Sequence, residues 1–262
     1  MESFGHVLER WSGWVPILLF ALLGGLELAV GHDRGKLSPM KRIGTNVGLY
    51  VVAALVTFAV PLTIASAAAW AGRNGVGLFN AVPVPAFVVL VVALAARSFA
   101  AYWLHRASHH IPLLWRLHRI HHGDRQIDVS LGLRHHPLEL LPAILLFAGL
   151  AVLLGLPVWA AVLTEGVMMA AAYWEHLAIR LPTPARARLE PWLVLPETHR
   201  IHHSAERRQT DSNYSTLTII WDRMFGTFRP SSEAVARIGL SDFDDKIADS
   251  LWQQLLLPLR PR

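Results

Sequence analysis

The sequence contains no cysteine, and only 16% of its 262 residues are charged. The absence of cysteine excludes disulfides, thiolate zinc sites, iron–sulfur clusters and cysteine-ligated haem, which leaves nitrogen and oxygen as the only strong metal donors. The low charge, combined with 53% hydrophobic residues, is unusual for a water-soluble globular domain. Together these features indicate an integral membrane protein in which any metal site uses histidine and carboxylate ligands.

Long apolar segments predict where the chain crosses the membrane, because a spanning helix needs about 20 apolar residues. Gly155, Leu156 and Pro157 interrupt an apolar stretch that is too long for one helix, so we predict an antiparallel pair there, either full spans or a shallower hairpin. We therefore predict a single all-α integral membrane domain over residues 1–262, with four to five transmembrane or hairpin helices. The predicted spans lie near 14–30, 43–70, 81–104, 140–155 and 157–176.

The formal net charge of +5 does not by itself indicate nucleic acid binding. The Arg and Lys residues stand beside apolar spans, and no basic-aromatic recognition module is evident. Positive flanks that face anionic lipid explain the charge, and the basic loop 32–42 favours a cytoplasmic location for its side of the membrane. Because the hairpin returns the chain to its starting side, a helical cap formed by residues 105–136 and 176–230 is expected to be cytoplasmic.

Twelve of the fourteen histidines lie between His105 and His203, in short sets with helical spacing. Side chains three and four residues apart share a helix face, with about 5–6 Å between Cβ atoms, so each set can direct several imidazoles to one ion or to two adjacent ions. Densely placed imidazoles without a metal would repel one another whenever protonated. The pattern therefore predicts a histidine-built metal centre. The sets are HRASHH (105–110), HRIHH (118–122), RHHPLE (134–139), WEH (174–176) and a second HRIHH (199–203).

Two other classes of function remain open from the residues alone. A membrane metal-ion transporter also combines spans with histidine, but transport sites lie near the membrane midplane, whereas these sets follow the spans. A zinc-dependent membrane hydrolase would use fewer ligands, since a catalytic zinc typically has three protein ligands. Histidine type alone does not select the metal, because imidazole suits iron, copper, nickel and zinc alike.

Four segments carry a resemblance to a known family: YWLHRASHHIPLLWRLHRIHH, RHHPLE, LPETHRIHH and NYSTLTIIWDRMFGTF. In this order they closely resemble the fatty acid hydroxylase/sterol desaturase superfamily of membrane di-iron enzymes, over roughly residues 95–230. The resemblance implies a membrane base of four or more helices under a cytoplasmic helical cap. It also implies two iron ions held mainly by histidine, which use O2 to hydroxylate or desaturate a lipid such as an acyl chain or a sterol-like molecule.

Carried over position by position, the resemblance implies ten metal ligands and a set of supporting residues. Glu139, Asp222 and Asn213 are expected to act beside the metals by holding the second ring nitrogens of the ligands. The chain departs from the family pattern at Ala178 and Ser215, where asparagine and glycine are common. The ten implied ligands are His105, His109, His118, His121, His122, His136, His176, His199, His202 and His203.

The resemblance also implies cofactors and partners. Two Fe ions are expected, with zinc as a possible substitute after purification. The implied partners are a lipid substrate, O2 and membrane lipids, with no nucleic acid. No haem-binding HPGG segment occurs, so electrons are expected from a separate donor, either a ferredoxin or a cytochrome b5-like protein with its reductase. An Ala- and Arg-rich compact chain favours a bacterial inner membrane.

Overall fold

The computed structural model describes residues 14–30, 39–241, 243 and 245–260, and over these residues the chain is helical, with two isolated β-bridges. His6, His32 and the predicted basic loop up to residue 38 lie outside the described residues. The α-helices are α1 (Val15–Val30), α2 (Pro39–Ala59), α3 (Ile64–Asn74), α4 (Leu78–Ala81), α5 (Ala86–His110), α6 (Pro112–His122), α7 (Leu140–Leu154), α8 (Val158–Glu175), α9 (Thr183–Leu189), α10 (Pro196–His202), α11 (Arg207–Thr210), α12 (Ile220–Met224), α13 (Asp245–Ala248) and α14 (Leu251–Leu256). Short 3-10 turns cover Val129–Leu133, Pro137–Glu139 and Leu257–Leu259.

Helices α3, α5, α7 and α8 form a bundle with an alanine-rich core. The core residues include Ala68, Ala93, Ala151, Ala160 and Ala161, each at most 1% exposed. Without a hydrophobic driving force between helices in lipid, small side chains of this kind allow the backbones to approach and gain van der Waals contact. The bundle therefore has the packing expected of membrane helices.

The bundle places every histidine set at one end. At the other end the turn between α7 and α8 packs against the turn that follows α3, where a Cβ on Gly77 would lie 2.2 Å from the backbone nitrogen of Gly155. Helix α5 runs away from this contact, and α7 begins at the opposite end. The segments that follow α5, precede α7 and follow α8 consequently meet at the end remote from these turns.

Three segments of the described chain are long and apolar enough to cross a membrane, namely Met40–Ala81, Ala86–His110 and Pro137–Leu154. Helix α1 is apolar but shorter. The predicted all-α membrane class is confirmed. The described residues contain three candidate spans, where the sequence predicted four to five transmembrane or hairpin helices.

The apolar stretch predicted as one span at 43–70 contains two helices, α2 and α3. Pro61 lies between them, and a proline in a helix interior removes one backbone hydrogen bond and clashes with the preceding turn. Thr63 then caps α3: its side chain accepts from the backbone N–H of Ser66, and the side chain of Ser66 accepts from the backbone N–H of Thr63. The chain is thus redirected within the apolar stretch.

The start of α2 is attached to the histidine end of the bundle. Arg42, which is 3% exposed, donates to Asp124 at 2.9 Å and also to Asp128. Asn46 donates to Asp124 and to Ser130, both at 3.1 Å. Arg42 belongs to the basic segment that was predicted to flank the membrane, but its charge is buried and paired with the cap.

Candidate metal centre

Nine of the ten implied ligands converge in two adjacent groups at the end of the bundle. Within each group the ligand atoms lie within 4.8 Å of one another. The rings of His122 and His203, one from each group, stack with their centroids 4.6 Å apart, so the two groups share a wall. Group 1 contains His105, His109, His118, His122 and His202, and group 2 contains His121, His176, His199 and His203.

The two HRIHH segments contribute to both groups in a reciprocal way. In the first segment, His118 and His122 enter group 1 and His121 enters group 2. In the second segment the histidine at the equivalent middle position, His202, enters group 1 instead, while its two neighbours enter group 2. Residues i and i+4 share a helix face and residue i+3 lies to one side of it, so one helical turn can serve two ions.

The two HRIHH segments lie at the C-terminal ends of α6 and α10, and residues at the ends of these helices determine where each helix begins or stops. Pro196 begins α10 at its first turn, where the missing N–H costs no hydrogen bond, and Glu197 follows it near the positive end of the helix. Helix α6 likewise begins at Pro112, and Gly123 caps it after its last residue, His122. A Cβ on Gly123 would lie 2.3 Å from the ring of Phe243, so this position needs glycine for space.

Hydrogen bonds to the outer ring nitrogens fix which nitrogen faces each group. Nδ1 of His105 lies 2.8 Å from the carbonyl oxygen of Tyr214, and Nδ1 of His121 lies 3.2 Å from that of Arg134. Nδ1 of His176 lies 2.5 Å from the carbonyl oxygen of Ala172. A carbonyl only accepts, so each Nδ1 carries the proton, and the Nε2 of the neutral ring presents a lone pair to the group.

Lone pairs therefore face one another across short distances. Nε2 of His121 lies 3.2 Å from Nε2 of His176, and Nε2 of His105 lies 3.1 Å from Nε2 of His118. In the first pair no proton is available to join the two nitrogens, and such a contact is repulsive unless a cation lies between them. The donor set of both groups therefore fits metal ions.

Burial keeps the cap imidazoles in the form that binds metal. Desolvation lowers the pKa of His121, His122, His199 and His203, and neighbouring histidines lower each pKa further. Burial also lowers the pKa of His202 to about 3. Because a metal coordinates the neutral imidazole, these ligands need to lose no proton at neutral pH before binding.

Two carboxylates lie within hydrogen-bonding distance of ligand ring nitrogens. Glu139 Oε1 lies 2.6 Å from Nδ1 of His118, the role that the family resemblance implies for it. Asp211 Oδ1 lies 3.3 Å from Nδ1 of His109, and its other oxygen accepts from Arg207 at 2.7 Å. A carboxylate on the outer nitrogen fixes the ring orientation and makes the inner nitrogen a stronger donor to metal.

Asp222 and Asn213 contact no ligand in the described structure and act through the backbone of the loop 212–215. Asp222 accepts from the backbone N–H of Tyr214 at 2.8 Å and of Ser215 at 3.0 Å. Asn213 adopts a positive φ of 50° and its side chain bridges neighbouring carbonyls. The carbonyl oxygens that hold the ligands belong to Ser212, at 2.7 Å from His202, and to Tyr214.

The structure places His136 outside both groups, whereas the resemblance implied a ligand role for it. Its Nδ1 accepts from the backbone N–H of Leu138 at 3.2 Å, and its Nε2 lies 3.2 Å from the carbonyl oxygen of Leu255. The neighbouring His135 instead stacks on His121, with 4.6 Å between ring centroids. Pro137 restricts the residue before it to an extended backbone, which turns the His136 side chain towards α14.

Arg134 supports the centre in a way that sequence reasoning missed. It is fully buried, and its guanidinium donates to the carbonyl oxygen of Ile120 at 2.7 Å, to Asn46 at 2.8 Å and to the carbonyl oxygen of Ala248 at 2.9 Å. It thereby joins α6, α2 and α13, and its own carbonyl holds His121. The only signal in the sequence is its place beside two histidines.

The fold and this site define a helical membrane protein with a histidine-built candidate centre for two metal ions. A sequence model described as Fatty acid hydroxylase matches residues 90–227, which is 138 of the 262 residues. The chain therefore belongs to the fatty acid hydroxylase family, and the predicted superfamily is confirmed. The matched region contains all nine converging histidines.

Curated relatives are similar to this chain over more than half of its length. Alkylglycerol monooxygenase of Homo sapiens is 31% identical over 53% of this chain and 30% of its own length. Ornithine lipid hydroxylase OlsE of Rhizobium tropici is 30% identical over 64% of this chain and 50% of its own length. Very-long-chain aldehyde decarbonylase GL1-6 of Oryza sativa subsp. indica is 26% identical over 88% of this chain and 38% of its own length. This chain thus spans half or less of the length of these relatives. No solved structure gives a significant match.

Proposed function

We propose that this protein is a membrane oxidoreductase that uses O2 and a di-iron centre to oxidise a lipid. The observation that carries the proposal is the pair of adjacent imidazole groups, with inward-facing Nε2 lone pairs, at the end of an apolar helix bundle. Family membership supports iron-dependent chemistry. Hydroxylation is favoured over desaturation, because one relative is named as a monooxygenase of alkylglycerol and another as a hydroxylase of ornithine lipid.

Each group would hold one iron. The five histidines of group 1 and the four of group 2 offer more imidazoles than one ion accepts, and the smaller set leaves more room for a further ligand. When bound, the metal supplies the oxidation of an unactivated C–H bond, which no side chain can perform. The protein buries the centre, fixes each ring through its outer nitrogen and orients the lipid.

The two rival functions make different demands. A transporter site would lie within the spans, whereas both groups form at helix ends, after the apolar part of α5 and beyond α8. A zinc hydrolase would take the oxygen of its product from water. We propose that the partners are a membrane lipid, O2 and a separate electron donor, either a ferredoxin or a cytochrome b5-like protein.

The source of the oxygen atom tests the proposed function. Lipid extracts from cells that express the wild-type gene should contain an oxidised lipid that is missing from cells that express His176→Ala. Growth of the wild-type cells under 18O2 should place one heavy oxygen in that lipid, as measured by mass spectrometry. Label that enters from H2 18O instead would favour the hydrolase.

We also propose that the histidine end of the bundle is cytoplasmic, in a bacterial inner membrane. Arg207 on the cap is 70% exposed, and Asn74 is the exposed last residue of α3, at the remote end. Because the chain has no native cysteine, single cysteines at these two positions report membrane sides unambiguously. An impermeant thiol reagent applied to intact cells should label position 74 and leave position 207 unmodified. The reverse pattern would place the cap outside.

A further inference from the structure

An ion pair lies inside the bundle, away from the histidines. Arg97 of α5 donates to Glu165 of α8, from Nε to Oε1 at 2.6 Å and from Nη2 to Oε2 at 3.0 Å. Arg97 stands eight residues before His105, which is about 12 Å along a helix, so the pair is separate from the metal groups. Charged side chains inside a membrane span are costly and are usually retained for a purpose.

The hydroxyl of Thr164 beside this pair lacks a protein partner. Thr164 is 2% exposed, and no described residue forms a hydrogen bond with its Oγ1. Two other helical hydroxyls donate backwards along their own helix: Thr57 to the carbonyl of Ala53 at 2.9 Å and Ser108 to that of Leu104 at 2.9 Å. A buried hydroxyl is normally paired, so the exception at Thr164 points to a ligand.

Thr164, Arg97 and Glu165 line one cavity, whose remaining walls are apolar side chains such as Phe147 and Ala161. The cavity offers about 10 Å³ to the centre of a water-sized molecule, which is room for one oxygen-sized group, such as a single water or a single hydroxyl. Three polar side chains on its wall meet the number of partners that buried water needs.

We propose that this cavity is a binding site for one ordered water molecule, which bridges Thr164 to the Arg97–Glu165 pair. The water accepts from the guanidinium or donates to the carboxylate, and it satisfies the Thr164 hydroxyl. The site recognises one hydroxyl group, and that group could belong to a water molecule or to a lipid alcohol. The site stands independently of the proposed function.

X-ray hydroxyl-radical footprinting of the whole protein tests the site, because radicals made from an internal water oxidise side chains beside it. The protein is placed in nanodiscs of dioleoylphosphatidylcholine, which has no free hydroxyl, and irradiated in H2 18O. Phe147 should acquire 18O in wild type and in Thr164→Ser, and its labelling should fall about threefold or more in Thr164→Val. Tyr102, which is fully buried and does not line the cavity, should stay unlabelled in all three proteins.

Two outcomes would overturn the proposal. One is equal labelling of Phe147 in wild type and Thr164→Val. The other is labelling that arises only after dioleoylglycerol is added, which would assign the site to a lipid hydroxyl. Thr164→Ala serves as the second variant if Thr164→Val does not fold, and the unlabelled Tyr102 verifies that packing is intact.

A different observation concerns residues 237–240, here called the strap. The backbone N–H of Gly239 donates to the carbonyl oxygen of His203 at 3.1 Å, and that of Leu240 donates to the carbonyl oxygen of His122 at 3.2 Å. These are the last histidines of the two HRIHH segments, and they belong to different metal groups. Two consecutive strap residues thus hold the ends of both segments, beyond the family match that ends at residue 227.

Only glycine suits the first strap contact. Gly239 has a backbone φ of +85°, which residues other than glycine rarely adopt, and a Cβ there would lie 2.7 Å from the carbonyl oxygen of Asp124. Substitution at this position must therefore displace the strap relative to the segment that follows α6. Gly75 has a similar φ of +64°, but no atom lies within 4 Å of the Cβ position and it belongs to the remote end of the bundle.

We infer that the strap is a positioning element that fixes the spacing between the two metal groups, an inference that rests on the proposed function. X-ray absorption of the zinc-loaded, purified protein measures the scattering between the two ions without any need for activity. Gly239→Ala should lose or broaden this metal–metal signal and weaken metal binding about tenfold. Gly75→Ala, which carries the same backbone strain, should lower thermal stability alone.

An unchanged metal–metal signal and affinity in folded Gly239→Ala would overturn the role of the strap and leave the proposed function standing. Absence of a metal pair from the wild type would overturn both. If Gly239→Ala does not fold, the same signal is measured in Phe243→Leu. Phe243 lies just beyond the strap: its backbone N–H donates to the carbonyl oxygen of Leu240 at 3.3 Å, and its ring packs on Gly123.

Discussion

Replacing His176 with alanine should reduce the metal content from about two ions per chain to about one and lower lipid oxidation more than about a hundredfold. His176 is one of four ligands in group 2, and the remaining three histidines bind an ion more weakly. Group 1 takes no ligand from this position, so its ion should remain. Elemental analysis of the purified variant and quantification of the oxidised lipid provide the two measurements.

His136→Ala is the matched control for this change. Both residues are buried histidines in the family region, but His136 bonds to the backbone at Leu138 and Leu255 and belongs to neither group. Its replacement should keep both ions and most of the activity. Equal loss of metal in the two variants would mean that damage to the fold, rather than lost coordination, explains the effect.

Replacing Arg134 with methionine should destabilise the protein by about 3–5 kcal/mol, the range for breaking a buried charged network by removing one partner. The change removes the hydrogen-bond donor of three buried acceptors, which are the carbonyl oxygens of Ile120 and Ala248 and the side-chain oxygen of Asn46. Denaturant unfolding of the protein in detergent micelles measures the difference in the free energy of unfolding.

Arg207→Met removes an arginine that is also paired, to Asp211 at 2.7 Å, but that is 70% exposed. Solvent screens such a pair, and its loss should cost at most about 1 kcal/mol. Similar destabilisation by the two changes would show that Arg134 does not join the helices around the centre as its hydrogen bonds indicate.

Much of the candidate site could be predicted because the spacing of histidines along a helix determines which of their side chains lie on the same face. The i, i+3 and i+4 positions of HRIHH determine which rings share a face, and the hairpin at Gly155–Pro157 determines that His176 returns to the same end. Both inferences need only local geometry, and the structure brings these side chains together.

Other features depend on contacts that residue type does not encode. The position of His136 outside both groups depends on the turn at Pro137 and on the carbonyl oxygen of Leu255, which is far away in the sequence. The partners of His105 and His202 are backbone carbonyls, which every residue possesses. Arg42 has the sequence pattern of a membrane flank and Arg134 stands beside two histidines, and only tertiary packing shows that both are buried.

The number of metal ions in wild-type protein tests the central claim most directly. Protein purified without chelators and reconstituted with Fe(II) should contain about two ions per chain by elemental analysis, because the two groups offer nine inward-facing imidazoles. Zinc acquired during purification should reach the same total. A folded, fully loaded sample that holds one ion or none would contradict the two-metal account.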